Sequence, residues 1–181
     1  FLAIRTNDKV GAILFSSKVE KFIPPKKGAS HVWRLIKEIF TYEPQDLTTN
    51  METVLIYLNR VIRRHAIVFL ISDCMDNDFD KSLRMTAKKH DLTIIRLSDP
   101  AEKELPDVGL ATLRDPETGQ VALINTGSKV LREKWRNYRK EQDANLCDLL
   151  KKAGVGLVDL STGGPVVEPL ARLFDTRNRR S

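Results

Sequence analysis

Two short polar loops contain the residues of this sequence that could do chemistry. The first, LTTN at 47–50, stands directly before a run with helical spacing, and the second, SDCMDND at 72–78, follows the most hydrophobic run of the chain. In open α/β sheets, ligands bind outside the carboxyl ends of the strands, where loops from adjacent strands converge. Thr49 and Asp73 are therefore the principal candidates. The further candidates for this binding face are Thr48, Asn50, Ser72 and Asp76.

Both principal candidates also have ordinary structural interpretations. Thr49, with Glu52 three residues later, has the spacing of a capping box, in which the hydroxyl and the carboxylate satisfy free backbone donors at a helix start. Asp73 fits a strand-end residue that binds loop amides or caps the next helix. Spacing alone favours the cap for Thr49, and capping does not exclude a contact with a ligand.

Motifs of known catalytic sites are missing from the sequence. It contains no G-x-S-x-G, no Walker loop, no G-x-G-x-x-G and no cysteine cluster. The histidines, His31, His65 and His90, lie in different predicted elements and lack zinc-ligand spacing, so we expect surface or packing roles for them. We therefore expect that the chain is not an enzyme.

The acidic residues Asp76, Asp78 and Asp80 suggest calcium at first sight. An EF-hand loop starting at Asp76 would need glycine where Lys81 stands and glutamate where Ala87 stands. We interpret these aspartates as charges that favour the positive end of the next helix.

The elements that must position the two loops follow from hydrophobic periodicity. After a helical stub at the N-terminus, two tightly joined apolar runs predict an antiparallel hairpin, whose second strand ends at Pro24 and Pro25. A strand, helix, strand unit with continuous apolar strands then predicts a parallel sheet that is buried on both sides. The predicted ranges up to this unit are 10–16, 18–24, 30–40, 51–64, 66–72, 78–90 and 92–98.

The second half of the chain continues the alternation. A polar connection at 99–107 leads to a second hairpin around the turn PETG, which we place at the sheet edge or just outside it. A long charged helix at 128–152, stopped by Gly154, precedes a last strand at 155–161 and a short closing helix interrupted by Pro169. We predict a doubly wound, mostly parallel sheet with helices on both faces, forming one domain over 1–176 with a basic tail at 177–181.

Composition narrows the classes of partner. No apolar run approaches the roughly 18 to 20 residues of a membrane span. The two cysteines, Cys74 and Cys147, fit a reducing compartment, so we expect a cytoplasmic location. Membrane association of a full-length protein through upstream segments is left open.

The net charge of +6 suggests binding to nucleic acid, but only the helix segment 129–140 and the tail concentrate positive charge. Nucleic-acid binding is therefore the alternative function.

Several stretches between Asp8 and Gly119 resemble a known family. They are DKVGAILFSSKVEKFIPPKKGASHVWRLIKEIF, TTNMETVLIYLNRVIRRHAIVFLISD and LSDPAEKELPDVGLATLRDPETG. They look like a bacterial family, mostly of unknown function, whose genes neighbour MoxR-type ATPases and whose members resemble von Willebrand factor A domains. The resemblance implies a protein-binding module that cooperates with a MoxR-type AAA ATPase in the assembly or maturation of other proteins.

The resemblance also implies a metal-ion-dependent adhesion site. Such a site uses a D-x-S-x-S loop, a threonine that Thr49 matches and an aspartate that Asp73 matches, and it would hold Mg²⁺ or Mn²⁺ in the intact domain. The D-x-S-x-S loop has no counterpart here, and Asn50 stands where the family usually has aspartate. Because Mg²⁺ needs a near-octahedral oxygen shell, we expect weak or no metal binding by this chain.

The chain begins with Phe1 inside what looks like the helix after the first strand of such a domain. In A domains that first strand lies between the strands corresponding to 10–16 and 66–72. Its loss would leave two apolar strand edges, which template association. We therefore expect an N-terminally truncated domain that forms a homo-oligomer through its exposed sheet edges.

Overall fold

The structure, a computed structural model, describes residues 2–76, 78–114 and 119–178. It is a mixed α/β protein in which three strands form a parallel sheet flanked by helices, and four more strands form two antiparallel hairpins. The described residues divide into two compact units, a first unit up to Arg63 and a second unit from Arg64 onward. The single-domain boundary at 176 stays a prediction.

The first unit is a hairpin with helices packed against it. Its elements are α1 (Leu2–Arg5), β1 (Val10–Phe15), β2 (Val19–Lys26), α2 (Ala29–Thr41) and α3 (Met51–Val61). The antiparallel pairing of β1 with β2 confirms the predicted hairpin. The apolar spacing of α2 and α3 turns one side of each helix toward these strands. The buried hydrophobic residues described in this unit are Ile23, Leu35, Met51, Val54 and Leu55.

The prediction that Pro24 and Pro25 end the second strand is wrong, because β2 runs on to Lys26. The strand passes the prolines through an irregularity in register between Val10 and Ala12 of β1. Proline lacks the N–H that a regular ladder needs, and a bulge removes that need. Gly11 lies at this point, where a Cβ would stand 2.7 Å from the carbonyl oxygen of Ile23.

The second unit contains the parallel sheet. Its elements are β3 (Ile67–Ser72), α4 (Asp80–Lys89), β4 (Asp91–Ser98), α5 (Pro100–Lys103), β5 (Leu110–Arg114), β6 (Val121–Asn125), α6 (Lys129–Ala153), β7 (Gly156–Ser161) and α7 (Val167–Asn178). The sheet order is β3, β4, β7, and both pairings are parallel, which confirms the predicted strand, helix, strand unit.

Helices flank this sheet on both faces. On one face, Leu170 and Leu173 of α7 pack against Ile95 and Val158. Successive residues of a strand point to opposite faces, so the neighbour of Ile95 along β4, Arg96, points to the other face. There Arg96 meets α6. The predicted two-sided covering of the central strand is therefore present in the second unit.

Two local features differ from the prediction. Pro169 does not interrupt the closing helix, because it lies in the first turn of α7. In the first turn the backbone N–H has no acceptor within the helix, so proline is tolerated there. The polar connection contains a short helix, α5, that was not predicted. The antiparallel pairing of β5 with β6 confirms the predicted second hairpin, which forms a two-stranded sheet of its own. Residues 116–118 of its predicted turn lie outside the described residues.

The expectation that the parallel sheet is buried on both of its faces is wrong for strand β3. In the part of the chain that the structure describes, β3 pairs with β4 alone and forms the edge of the sheet. Ile67 and Ile71 are 62% and 55% exposed, while Phe69 between them packs near the α7 core. An uncharged edge strand without proline is a template for pairing with another strand.

We therefore expect self-association through the outer edge of β3. Light scattering at micromolar concentrations should show a dimer or larger species, and Ile71→Lys should shift it toward the monomer, because a charge on an edge strand opposes pairing. The matched control is Val130→Lys on helix α6, a 62% exposed apolar position away from the edge, which should leave the mass unchanged. A monodisperse monomer at all concentrations would contradict the prediction.

His90, the residue that ends helix α4, is the buried titratable group of the second unit with the clearest consequence. It is 2% exposed, and neither ring nitrogen has a hydrogen-bond partner among the described residues. Burial lowers the pKa of His90 below its usual 6.5, and the charges of Lys89 and His65 lower it further. Burial therefore favours the neutral form of the His90 side chain.

This histidine should make the fold less stable as the pH falls through about 6.5. Below that pH the unfolded chain binds a proton at His90 that the folded chain does not, so protonation favours unfolding. Thermal melts of the wild type and of His90→Gln between pH 8 and pH 5 measure the effect. The variant should lose less stability over this range than the wild type, and equal slopes would contradict the argument.

Among the described residues, no helix combines the length and the apolar character that crossing a membrane requires.

Candidate functional site

The loop with Thr48, Thr49 and Asn50 belongs to the first unit and is anchored by Asp46. The Asp46 carboxylate accepts hydrogen bonds from the Ser17 hydroxyl and from the backbone N–H of Thr48, at 3.1 Å. These bonds, that of Ser17 first, lower the pKa of Asp46 to about 2. The loop is also joined to the hairpin by the N–H of Asn50, which donates to the carbonyl of Ser16 at 3.0 Å.

The capping-box interpretation of Thr49 is wrong, because helix α3 begins one residue later than that interpretation requires. Asn50 is the N-cap, and its side-chain oxygen accepts a hydrogen bond from the N–H of Thr53 at 2.8 Å. Asparagine ranks above threonine as an N-cap, which favours Asn50, whereas the spacing to Glu52 favours Thr49, so the two sequence signals disagree. The amide at position 50 therefore has a structural role of its own.

Removal of this cap should destabilise the protein by about 1 kcal/mol, the usual cost of replacing an asparagine N-cap with alanine. Urea unfolding of Asn50→Ala measures it, and Asn50→Asp, which keeps an acceptor oxygen, should remain within a few tenths of a kcal/mol of the wild type. If both substitutions lower the free energy of unfolding by the same amount, the side-chain cap does not explain the loss of stability.

The loop with Ser72, Asp73 and Asp76 belongs to the second unit and is held by its own hydrogen bonds. Asp73 accepts from the N–H of Met75 at 3.2 Å, and the Ser72 hydroxyl accepts from the N–H of Cys74 at 3.1 Å. The loop-binding role considered for Asp73 is therefore present. The carboxylate is nevertheless exposed, so it can also meet a ligand.

Asp73 opens onto a cleft of about 230 Å³. The cleft lies where strand β3 ends, and it is bounded by the start of helix α4, by Arg96 and by the middle of helix α6. Its described acidic lining residues are Asp73, Asp76, Asp78, Asp80 and Asp143, and its basic ones are Arg96 and Arg139. Met75 and Tyr138, 47% and 52% exposed, add apolar surface. This is the end of the sheet at which ligands bind in open α/β folds.

Arg96 fixes the floor of the cleft. It is 7% exposed, and its guanidinium donates to Asp159 at 2.5 Å and to Asp143 of helix α6 at 2.7 Å. Burial alone would lower the pKa of Arg96, but the bonds and charges of Asp159 and Asp143 outweigh it and raise that pKa above its ordinary value. This charged group therefore ties the sheet to helix α6.

Cys74 also lines the cleft, half-buried and without a disulfide. Burial raises the pKa of the Cys74 thiol to about 12, and Asp73 and Asp159 add to the shift. The attacking species in cysteine chemistry is the thiolate, so this thiol is poorly suited to act as a nucleophile at neutral pH.

The metal site that the resemblance implies would need further oxygen ligands beside Thr49 and Asp73. Thr49 lies in the first unit and Asp73 in the second. Across residues 2–76, 78–114 and 119–178, no group of three or more His, Cys, Asp or Glu side chains could hold a metal ion. A hydroxyl and a carboxylate alone cannot supply the oxygen shell of Mg²⁺. Metal binding by an intact domain stays a prediction.

Arginines of the basic segment 129–140 form ion pairs with nearby carboxylates. Arg132 lies 3.0 Å from Asp107, and Arg136 lies 3.2 Å from Glu104. These pairs reduce the field that this face presents to a phosphate backbone. Of the predicted basic tail, residues 179–181 lie outside the described residues.

Comparisons with known proteins agree on a family without an assigned function. The chain is 25% identical over 182 aligned residues to the uncharacterized protein Rv1480 of Mycobacterium tuberculosis and, equally, to the uncharacterized protein Mb1516 of Mycobacterium bovis. These alignments cover 99% of this chain but 57% of each relative, so the chain spans about half the length of these relatives. An uncharacterized protein of Mycobacterium avium, MAV169, is 24% identical over 87% of this chain and 94% of its own length.

No solved structure matches the chain. The family model described as "Protein of unknown function DUF58" matches residues 1–145, which is most of the chain. The chain therefore belongs to the DUF58 family of proteins of unknown function.

Proposed function

We propose that this chain is a protein-binding module whose binding face is the cleft beside Asp73. The observation that supports this most is the position of the cleft, at the carboxyl end of strand β3 with acidic, basic and apolar side chains on its walls. Binding sites typically combine apolar surface with a few placed polar groups in this way. In this proposal the chain recognises its partner and does no chemistry on it.

The partner that we propose is a MoxR-type AAA ATPase or a protein that such an ATPase assembles. This part of the proposal is supported by the resemblance of the stretches between Asp8 and Gly119 to the family whose genes neighbour MoxR-type ATPases. The mycobacterial relatives are uncharacterized and add no functional information. In the intact protein, a metal ion at Asp73 and Thr49 would assist binding, but the residues described here do not fit such an ion, and no step of the proposal passes through it.

Nucleic-acid binding through helix α6 remains the alternative. It has the net charge of +6 in its favour. The pairing of Arg132 and Arg136 with carboxylates, and the aspartates of the cleft next to the same helix, favour a protein partner instead. Steep dependence of duplex DNA affinity on salt concentration would support the alternative.

Calorimetric titration of this chain with the MoxR-type ATPase of its own genome tests the proposal. We expect saturable binding that Tyr138→Ala weakens at least about tenfold, because aromatic side chains at the centre of an interface contribute most to affinity. The matched control is Tyr57→Ala in helix α3 of the first unit, which should bind like the wild type. Absence of binding, or equal weakening by both substitutions, would contradict the proposal.

A further inference from the structure

The cleft beside Asp73 contains a guanidinium that lacks a strong acceptor. Arg139 of helix α6 lines the cleft, and its Nη1 lies 2.9 Å from the Met75 sulfur, which is a weak acceptor. Its Nε is buried and has no hydrogen-bond partner among the described residues. No described carboxylate lies within 4 Å of it, although several aspartates line the same cleft. A buried donor without an acceptor costs free energy that a bound acceptor would recover.

The charge of the cleft limits what that acceptor can belong to. Five aspartates and two arginines line the described part of the cleft, and Arg96 is already bound to Asp143 and Asp159. Asp73, Asp78 and Asp80 are exposed. A phosphate or a free carboxylate would satisfy Arg139 but would be repelled by these carboxylates. A neutral carbonyl oxygen satisfies Arg139 without that repulsion.

The apolar lining indicates what accompanies the carbonyl. Met75 and Tyr138 are each about half exposed, and the Tyr138 ring lies beside that of Trp135, with the centroids 6.1 Å apart. The aliphatic stem of lysine or arginine packs on such surfaces while its charged end stays near water. A cation near an aromatic face gains further attraction.

We infer that this cleft binds a peptide segment of a partner protein that presents a lysine or arginine side chain. The cationic end lies among the carboxylates of Asp73, Asp78 and Asp80, the stem lies on Met75 and Tyr138, and a backbone carbonyl of the segment accepts from Arg139. This inference rests on the proposed function, because it names the chemistry that the proposed binding face recognises.

The test uses blocked hexapeptides that differ at one central position, arginine, glutamine or glutamate, titrated into the protein by calorimetry. The arginine peptide should bind at least about tenfold more tightly than the glutamine peptide, and the glutamate peptide should not bind. The preference should shrink as salt rises, because the carboxylates are exposed. Equal affinity for the arginine and glutamate peptides would overturn the inference.

Two variants separate the carboxylates from Arg139. The double variant Asp73→Asn and Asp78→Asn keeps an acceptor for the N–H of Met75, and asparagine tolerates the positive φ of 65° at position 78. This double variant should lower the affinity for the arginine peptide about fivefold to tenfold. Arg139→Lys keeps the charge but removes the Nε donor. It should lower the affinities for the arginine peptide and the glutamine peptide by the same factor. Asp148→Asn, on the same helix outside the cleft lining, is the control and should change nothing.

Failure of this inference can be distinguished from failure of the proposed function. If the ATPase binds with Tyr138 in the interface but the double asparagine variant binds it unchanged, the basic-segment inference is wrong and the binding face stands. If the arginine peptide binds but the ATPase does not, the inference stands and the proposed partner is wrong. Displacement of the arginine peptide by duplex DNA would overturn the inference.

Discussion

Replacement of Arg96 with methionine is expected to destabilise the protein by about 3 kcal/mol. Removal of one partner from a buried ion pair leaves the other charges without compensation, which typically costs about 3–5 kcal/mol. The side chains of Asp143 and Asp159 keep 35% and 48% of their exposure, so water will screen part of the loss. We therefore expect a value at the lower end of that range.

Urea unfolding at pH 7 measures this loss. The matched control is Lys152→Met, which breaks the exposed pair of Lys152 with Asp148 on helix α6 and should cost less than about 0.5 kcal/mol. Arg96→Lys should give an intermediate loss, because lysine keeps the charge but cannot reach both carboxylates with a planar fork. A loss below about 1 kcal/mol for Arg96→Met would show that the ion cluster does not hold helix α6 to the sheet.

Truncation of Ile94 to alanine is expected to cost about 3 kcal/mol. Ile94 lies on the central strand β4 and is 0% exposed, so the substitution removes three buried carbon atoms and leaves a cavity between the sheet and its helices. The control is Leu97→Ala on the same strand, where the side chain is 45% exposed and the loss should stay below about 1 kcal/mol. Similar losses for both variants in chemical denaturation would contradict the assigned burial.

Hydrophobic periodicity was sufficient to predict most of the elements. The strand, helix, strand unit, both hairpins and the long helix stopped by Gly154 were predicted and are present. Gly154 has the left-handed conformation that this stop requires, with φ of 68°. These features depend on residues close together in the chain, which is why a single sequence reveals them.

Predictions that depended on neighbours in space were less successful. The apolar run of β3 predicts a strand that is covered on both faces, but Ile67 and Ile71 are largely exposed. Periodicity indicates which residues share a face and cannot show whether another element covers that face. The helix-breaking role given to Pro169 failed for a different reason. The effect of a proline depends on its position within the helix, and the sequence placed the start of α7 only approximately.

The candidate site was predicted in part. Sequence position identified the loop of Asp73, because it follows a strongly apolar strand, but not the residues that face it from helix α6. Arg139, Tyr138 and Asp143 are more than 60 residues away along the chain, and only the tertiary structure brings them to the cleft. The sequence around Arg96 contains a signal for the ion cluster. A single charge within the apolar run LTIIRLS indicates a buried ion pair, since an unpaired charge there would be costly.

Amide hydrogen exchange of the chain, free and bound to the MoxR-type ATPase, locates the binding face without a mutation. We expect slower exchange on binding in the loop 72–76 and in helix α6 from Tyr138 to Leu149, with little change in helices α2 and α3 of the first unit. Slower exchange confined to the first unit, or to the basic segment 129–136 with the cleft unaffected, would contradict the claim that the Asp73 cleft is the binding face.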